Sequence, residues 1–407
     1  MENEKAYRVY ASRWLVLAVH MFVNMTIQIL WISYAPITTQ SSLFYGVSEL
    51  RIGFFSMVFM LAFIPLSIPV SWLIDKFGCK PVVAAGAVIA GICGILRGSA
   101  GSDFGFAITM TIGLAIAQPV FLNSWSKVSA LWFPANERAT AVGLINLACL
   151  LGVAVGQALT PILTETMSIP AVQLSYGIAA SASALLFLLF ASEKPATPPD
   201  ASAETERALM LEGLKHALSL KSFRRYLVMA FIGLGIFNGV TTWIEGIVRP
   251  RGFDSKQAGA AIAIMLIAGI VGAVVMPAIS DKRGRRKPYI VAGLLGSIPG
   301  IVGMAIAPNF PLLLFSSASL GFFLVSVNPI GIQYASETAL PTPEGTSNGL
   351  ISLAGQVSVI LVYVMEPLRK ATGSYVFPLL LLAALLALSA GLATTLAERP
   401  SGSTAAL

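Results

Sequence analysis

Charge is what this sequence has least of. Asp, Glu, Lys and Arg make up 11% of its 407 residues, where a water-soluble domain carries about 25%. A chain so poor in charge cannot cover its own surface in water, so the solvent it folds in is lipid. Histidine is nearly missing, with two in the chain, and no His, Cys, Asp and Glu cluster has metal-ligand spacing. That argues against a bound metal or a membrane metalloenzyme. Three scattered thiols, Cys79, Cys93 and Cys149, lie in or beside apolar runs. They make neither a disulfide framework nor a metal site, and read as small core residues. No Gly-rich phosphate loop ending in Lys-Ser or Lys-Thr is present, which speaks against ATP-driven chemistry. No cofactor and no enzymatic activity are expected.

What is present is apolar sequence: 56% hydrophobic residues and a mean hydropathy of +0.80. Crossing a hydrocarbon layer of about 30 Å takes about 20 apolar residues as a helix, and a helix satisfies its backbone without help from solvent. Apolar segments lie near 14–38, 52–74, 80–98, 104–126, 139–163 and 170–192. Six more lie near 226–248, 257–280, 288–307, 311–335, 346–368 and 374–396. The expected fold is an all-α membrane protein with twelve transmembrane helices in two pseudo-symmetric six-helix bundles. Met1 to Arg13 is polar and the run from Trp14 is too long for a signal-peptide core, so the first run is expected to be a membrane helix.

The longest polar stretch, Ser192 to Lys221, falls at the midpoint. It opens Pro-rich at Glu193-Lys194-Pro195 and continues from Ala203 to Leu220 as an expected amphipathic surface helix carrying Leu209, Leu211, Leu214, His216 and Leu218. The expected organisation is a first bundle over 1–192, a linker over 193–222, a second bundle over 223–397 and a tail over 398–407. An offset tests for duplication. Asp75-Lys76-Phe77-Gly78-Cys79-Lys80 recurs as Asp281-Lys282-Arg283-Gly284-Arg285-Arg286, and Gly143-Leu144 recurs as Gly349-Leu350. Both pairs are 206 residues apart, by 281 − 75 and 349 − 143. A shared offset at two distant places indicates parallel repeats.

The net charge of +7 sits mostly in short loops, a pattern of topology and lipid headgroups rather than of nucleic acid. Lys76 and Lys80, then Lys215, Lys221, Arg224 and Arg225, then Lys282 to Lys287 all fall on one side of a twelve-helix chain. That side, with both termini, is expected to be cytoplasmic in a plasma or inner cell membrane. Arg249, Arg251, Lys256, Arg369 and Lys370 on the other side run against the pattern.

Asp75-x-x-Gly78-x-Lys80 and Asp281-x-x-Gly284-x-Arg286 resemble the loop signature of the major facilitator superfamily. Glycine permits the tight turn, and the acid can meet a helix N-terminus or a basic partner. The resemblance implies that these loops act as gates that stabilise one access state; the plainer alternative is a solvated turn. A closer resemblance runs through Trp31-Ile32-Ser33-Tyr34, Phe44-Tyr45-Gly46-Val47, Ser56 to Ala62, Ala117-Gln118-Pro119 and Trp132-Phe133. It continues in Pro343 to Leu350 and Ala354-Gly355-Gln356-Val357. These stretches are similar to the feline leukaemia virus subgroup C receptor family. That likeness implies transport of choline- or ethanolamine-type cations, with haem export also ascribed to the family. Fold and transport carry over from such a likeness better than substrate does.

His20, Asn24, Gln28 and Trp31 recur at spacings of three to four on one helix face. Polar side chains in the membrane face a watery cavity or the bundle interior; the alternative is hydrogen bonding that only joins helices. His20 reads as a packing residue. The 206 offset maps Trp31 onto Phe237, so the two aromatics are expected to face each other across the pseudo-twofold axis. By the resemblance they match the family's cation-binding aromatics, and a quaternary ammonium gains about 0.5–2 kcal/mol from such a face. Simple packing between halves is the rival reading. Gln356 occupies the family's polar substrate contact in the eleventh helix. Its repeat mate is Leu150, where the family usually has Gln, and Phe237 stands where it usually has Tyr. These departures make a drier site and open the way to a cation other than choline.

The seventh helix adds Asn238, Thr241, Thr242 and Glu245. Facing a cavity, Glu245 balances a cationic substrate or carries a coupling proton; at the interface it pairs with Arg249 one turn on, the preferred reading. Gln118 and Asn123 in helix four, and Asn328 and Gln333 in helix ten, complete the polar set, while Glu337 and Glu366 read as helix-end residues. The expectation is a monomeric secondary transporter of a small organic solute, a choline-like or other organic cation, working by alternating access. A proton-coupled drug or metabolite exporter, a porphyrin carrier and a non-transporting receptor remain as alternatives.

Overall fold

A computed structural model describes residues 8–134, 136–199, 210–339, 342 and 344–397. Twelve helical spans among the described residues are long and apolar enough to cross a membrane. Spans 1 to 6 are Arg13–Tyr45, Glu49–Phe77, Cys79–Gly98, Phe104–Trp132, Arg138–Leu163 and Ile169–Phe190. Spans 7 to 12 are Lys221–Arg251, Ser255–Arg283, Lys287–Ile306, Phe310–Thr338, Ser347–Thr372 and Val376–Thr394. Each apolar segment of the sequence lies on its own span. Large apolar side chains such as Ile68, Ile92, Ile178, Leu189, Val274 and Phe315 stand exposed on the outer faces, as a lipid solvent requires.

The chain divides into two compact units. One comprises Met1–Tyr34 with Gln40–Ala208, the other Ala35–Thr39 with Leu209–Leu407. In the first unit, spans 3 and 6 touch backbone to backbone: a Cβ on Gly94 would lie 2.9 Å from the Gly177 Cα. In the second, a Cβ on Gly321 of span 10 would collide with the Met265 carbonyl of span 8. Small residues at these crossings let helices approach closely where no hydrophobic effect drives them together. Side-chain caps fix several starts. Ser48 accepts from Arg51 N at span 2 and Asp103 from Phe106 N at span 4; at span 8, Asp254 and Gln257 form a reciprocal capping box.

Three spans are interrupted. Span 1 is α-helical over Arg13–Ile32, takes a 3-10 turn at Ala35–Ile37, and resumes as a helix over Thr38–Tyr45. Pro36 explains this break, because it lacks the N–H that the Ile32 carbonyl would receive and its ring crowds that carbonyl. Spans 4 and 11 break at Ser124 and Ser358. The central segment forms a helix over Met210–Ser219, and His216 Nδ1 lies 3.1 Å from the Thr342 hydroxyl. The part of the expected amphipathic helix over 203–209, and the tail over 398–407, lie outside the described residues.

Candidate functional site

The first unit holds Asn24, Gln28 and Trp31 on the Arg13–Ile32 helix and Gln118 on span 4, all buried. Asn24 is committed to the fold. Its Nδ2 donates to the His20 carbonyl at 2.8 Å, and its Oδ1 accepts the Trp125 indole N–H at 2.9 Å and the Cys149 thiol at 3.8 Å. It therefore ties span 1 to spans 4 and 5. His20 packs edge-on against Phe187, with ring centroids 4.8 Å apart. Gln28 and Gln118 differ: the Oε1 of each is buried without a hydrogen-bond partner. A buried acceptor left open costs about 1–3 kcal/mol, so such atoms mark places where a ligand or water belongs.

Trp31 is 7% exposed and pinned to span 2. Its indole N–H donates to the Ser56 carbonyl at 3.0 Å, and the Ser56 hydroxyl donates back to the Trp31 carbonyl at 3.3 Å. The polar edge of the ring is satisfied inside the fold, so what it can offer a ligand is its π face. Asn123, expected in the same polar set, donates instead to the Ser67 carbonyl at 2.8 Å and the Ser71 hydroxyl at 3.0 Å. It joins spans 4 and 2.

In the second unit Phe237, Asn238, Thr241 and Glu245 follow one another along span 7. Phe237 is half-buried and Asn238 and Thr241 are buried. The Thr241 hydroxyl donates to its own helix at the Phe237 carbonyl, 2.8 Å away. Asn328 on span 10 and Gln356 on span 11 are half-buried. Gln333 departs from the expected set: it is exposed and donates to Glu337 at 2.9 Å. An apolar groove of about 510 Å³ between spans 7 and 11, lined by Leu227, Phe231, Leu350 and Leu353 among others, includes none of the candidate residues.

Glu245 corrects the sequence reading. It does not pair with Arg249, whose side chain is exposed. It is 3% exposed, and its Oε2 accepts the Thr39 backbone N–H at 2.7 Å while Oε1 accepts the Ser255 hydroxyl at 3.2 Å. The helix Thr38–Tyr45 starts beside it, and its N-terminal N–H groups hold the carboxylate in hydrogen bonds, whereas the exposed Arg249 guanidinium keeps its charge in solvent. Glu366 is also fully buried, but with cations: Arg369 at 2.6 Å, Lys370 at 3.8 Å, and the Tyr375 hydroxyl at 2.8 Å.

The two gate-like loops are built differently. In the first, Asp75 pairs with Lys127 at 2.5 Å, and Gly78 has φ 96°, a conformation that suits glycine alone. Directly after it, the Glu193 carboxylate accepts the backbone N–H groups of Cys79 at 2.8 Å and Lys80 at 2.6 Å, capping span 3. Lys80 itself is half-buried. In the second loop Gly284 has φ 62°, and Arg286 joins Asp281 to Glu337, the latter at 3.0 Å. Burial works against the charged Arg286 guanidinium, but the hydrogen bonds and charges of Glu337 and Asp281 outweigh it and hold its pKa above the usual arginine range.

Sequence reading passed over Glu193, Lys127, Arg97 and Gln173. Arg97 is the only charge inside the apolar run after Lys80. Standing near the end of that run, it resembles an ordinary interfacial cation, and nothing local marks its burial.

A family model for the Major Facilitator Superfamily matches residues 16–363. Solute carrier family 49 member A3 of Xenopus tropicalis is 28% identical over 376 residues, covering 88% of this chain and 78% of its own. Choline/ethanolamine transporter FLVCR2 of Rattus norvegicus is 28% identical over 389 residues, with 90% and 70% covered; the Homo sapiens protein of that name is 27% identical over 391 residues, with 90% and 73% covered. A bacterial homologue of the human lysosomal transporter Spinster, solved inward-facing and unoccupied, superposes with a TM-score of 0.78 at 14% identity. The match covers 95% of this chain and 97% of that one, and it concerns the fold alone.

Proposed function

The chain belongs to the Major Facilitator Superfamily, and from that premise we propose that it carries a small organic cation of the choline or ethanolamine type by alternating access, opening its substrate site to one side of the membrane at a time. One observation supports the cation above other solutes. The Trp31 indole has its N–H bound to Ser56, while Gln28 and Gln118 in the same unit hold buried amide oxygens with no partner. An aromatic face with open acceptors suits a cationic head carrying a hydroxyl or ammonium donor. Relatives named as choline/ethanolamine transporters lend support from another direction. Phe237 and Leu150, where that family usually has Tyr and Gln, favour a more apolar cation than choline itself.

Asn238, Thr241, Asn328 and Gln356 belong to the same proposed substrate set, and Asp75, Gly78, Lys80, Asp281, Gly284 and Arg286 to the proposed gates. We place the bundles over 1–192 and 223–397 with a linker between them, and the protein as a monomer in a plasma or inner cell membrane with both termini cytoplasmic. Glu245 favours a second reading, proton coupling, because it is buried, accepts hydrogen bonds from the neutral groups of Thr39 and Ser255, and forms no ion pair among the described residues. Uptake of labelled choline, ethanolamine and more apolar quaternary amines into proteoliposomes tests both. Saturable amine flux that falls in Trp31→Ala and Gln356→Ala supports the cation reading. A folded preparation with no amine flux refutes it. A response to a pH gradient that disappears in Glu245→Gln supports coupling.

A further inference from the structure

Arg97, in the last turn of span 3, is 1% exposed and takes part in none of the ion pairs among the described residues. An arginine buried in a membrane protein without an acid is costly, so its partners are informative. Nη1 donates to the Leu30 carbonyl at 2.9 Å. Nη2 donates to Gln173 Oε1 at 2.6 Å and more weakly to the Ser33 hydroxyl at 3.4 Å. The guanidinium also lies over the Tyr34 ring, 5.3 Å from its centroid. Each of these is a dipole or a π face; together they stand in for the missing carboxylate at the two Nη groups, while the buried Nε has no hydrogen-bond partner.

The break in span 1 accounts for the arrangement. Pro36 ends the helix at Ile32, a helix end leaves its last four carbonyls short of intrahelical donors, and hydrocarbon supplies none. Leu30 owns one of those four. Arg97 brings it a donor and sets a positive charge at the negative end of the helix dipole. The second repeat is a natural control. At the 206 offset Pro36 becomes Thr242, Ser33 becomes Gly239, Arg97 becomes Gly303 and Gln173 becomes Leu379. There the helix Lys221–Val248 runs unbroken. The break and the arginine set are present together in one repeat and missing together in the other.

We propose that Arg97 is a positioning residue for Trp31. It grips the carbonyl immediately before Trp31, while Ser56 holds the Trp31 carbonyl and indole from span 2. The terminal turn of the helix is thereby clamped from spans 2, 3 and 6, and the indole face keeps a fixed aim. The part that concerns substrate rests on the reading of Trp31 as a cation contact; the part that concerns the orientation of the ring does not.

The test uses the full-length protein labelled with 5-fluorotryptophan in lipid nanodiscs. Its six tryptophans give separate fluorine lines, with Trp31 assigned by Trp31→Phe. In Arg97→Lys and in Gln173→Leu the Trp31 line is expected to shift or split while the remaining lines hold. In proteoliposomes, choline KM is expected to rise about 5- to 30-fold with little change in maximal rate. An unmoved Trp31 line in both variants overturns the proposal. So does the joint collapse of all lines in both, since Arg97 would then serve the whole fold. A wild-type Trp31 line that ignores added choline overturns the substrate reading, and the line positions of the variants still decide the positioning role.

Discussion

Thr39 and Glu245 stand 206 residues apart, the offset that relates the two repeats, and the Thr39 backbone N–H donates to the Glu245 carboxylate at 2.7 Å. Both belong to the second unit. The repeat mate of an unremarked threonine is thus its hydrogen-bond acceptor, and the acid caps the helix that the Pro36 break allows to begin at Thr38.

Glu245→Ala is expected to lower stability by about 1–3 kcal/mol, because it leaves the Thr39 N–H and the Ser255 hydroxyl without their acceptor. Glu245→Gln retains an acceptor and is expected to lose less. Thermal unfolding in detergent micelles ranks the two; no loss in Glu245→Ala would mean the cap contributes nothing.

Trp31→Phe preserves an aromatic face but frees the Ser56 carbonyl, whereas Trp31→Ala removes the face. A cation–π contact of about 0.5–2 kcal/mol corresponds to a loss of roughly 2- to 30-fold in choline affinity for the alanine variant. The neutral isostere 3,3-dimethylbutanol, lacking the charge, is expected to compete no worse than before. Competition curves against labelled choline would show this, and equal losses for both compounds would point to packing rather than charge.

Glu193→Ala uncaps span 3 at Cys79 and Lys80 and is expected to cost about 0.5–2 kcal/mol. Gly78→Ala has two problems, its φ of 96° and a Cβ that would lie 2.8 Å from Glu193 Oε1. The double variant is therefore expected to lose less than the sum of the singles, because removing Glu193 also removes the clash. Strict additivity in unfolding measurements would contradict the contact.

Arg286→Met leaves Asp281 and Glu337 without their shared cation and is expected to cost about 1 kcal/mol, the scale of a partly exposed ion pair. The folded-state pKa of Arg286 is raised, so its own protonation contributes stability that is fully present below the unfolded arginine range and is lost only above it. Between about pH 7 and pH 10 its titration therefore adds no slope to the stability difference between wild type and variant. A difference that shrinks steadily over that interval would remove Arg286 as the group responsible.

Much of the fold was legible because lipid imposes a simple rule. Each apolar run long enough to span had to be a helix, and polar loops with Gly78 and Gly284 had to turn. The candidate polar residues were legible by the same rule, since an amide such as Gln28 has no place facing hydrocarbon. What each amide does was not legible. Asn24 and Gln28 share a face, a residue class and span 5 as a neighbour, yet one oxygen is bound by Trp125 and the other is open, because only the first has an indole N–H packed within reach. Glu245 likewise had Arg249 one turn away in sequence but found Thr39 and Ser255 in space.

The sequence by itself determined the solvent, the number of the spans, the duplication and the superfamily, because burial in lipid and the 206-residue offset are properties read along the chain. Tertiary structure alone decided that Arg97 is buried without an acid, that Glu193 caps the helix after Gly78, and that the Trp31 N–H belongs to Ser56. Those outcomes depend on carbonyls and amides brought in from other spans. A buried polar group takes the partner that packing puts within about 3 Å, and no pattern along the chain encodes that distance.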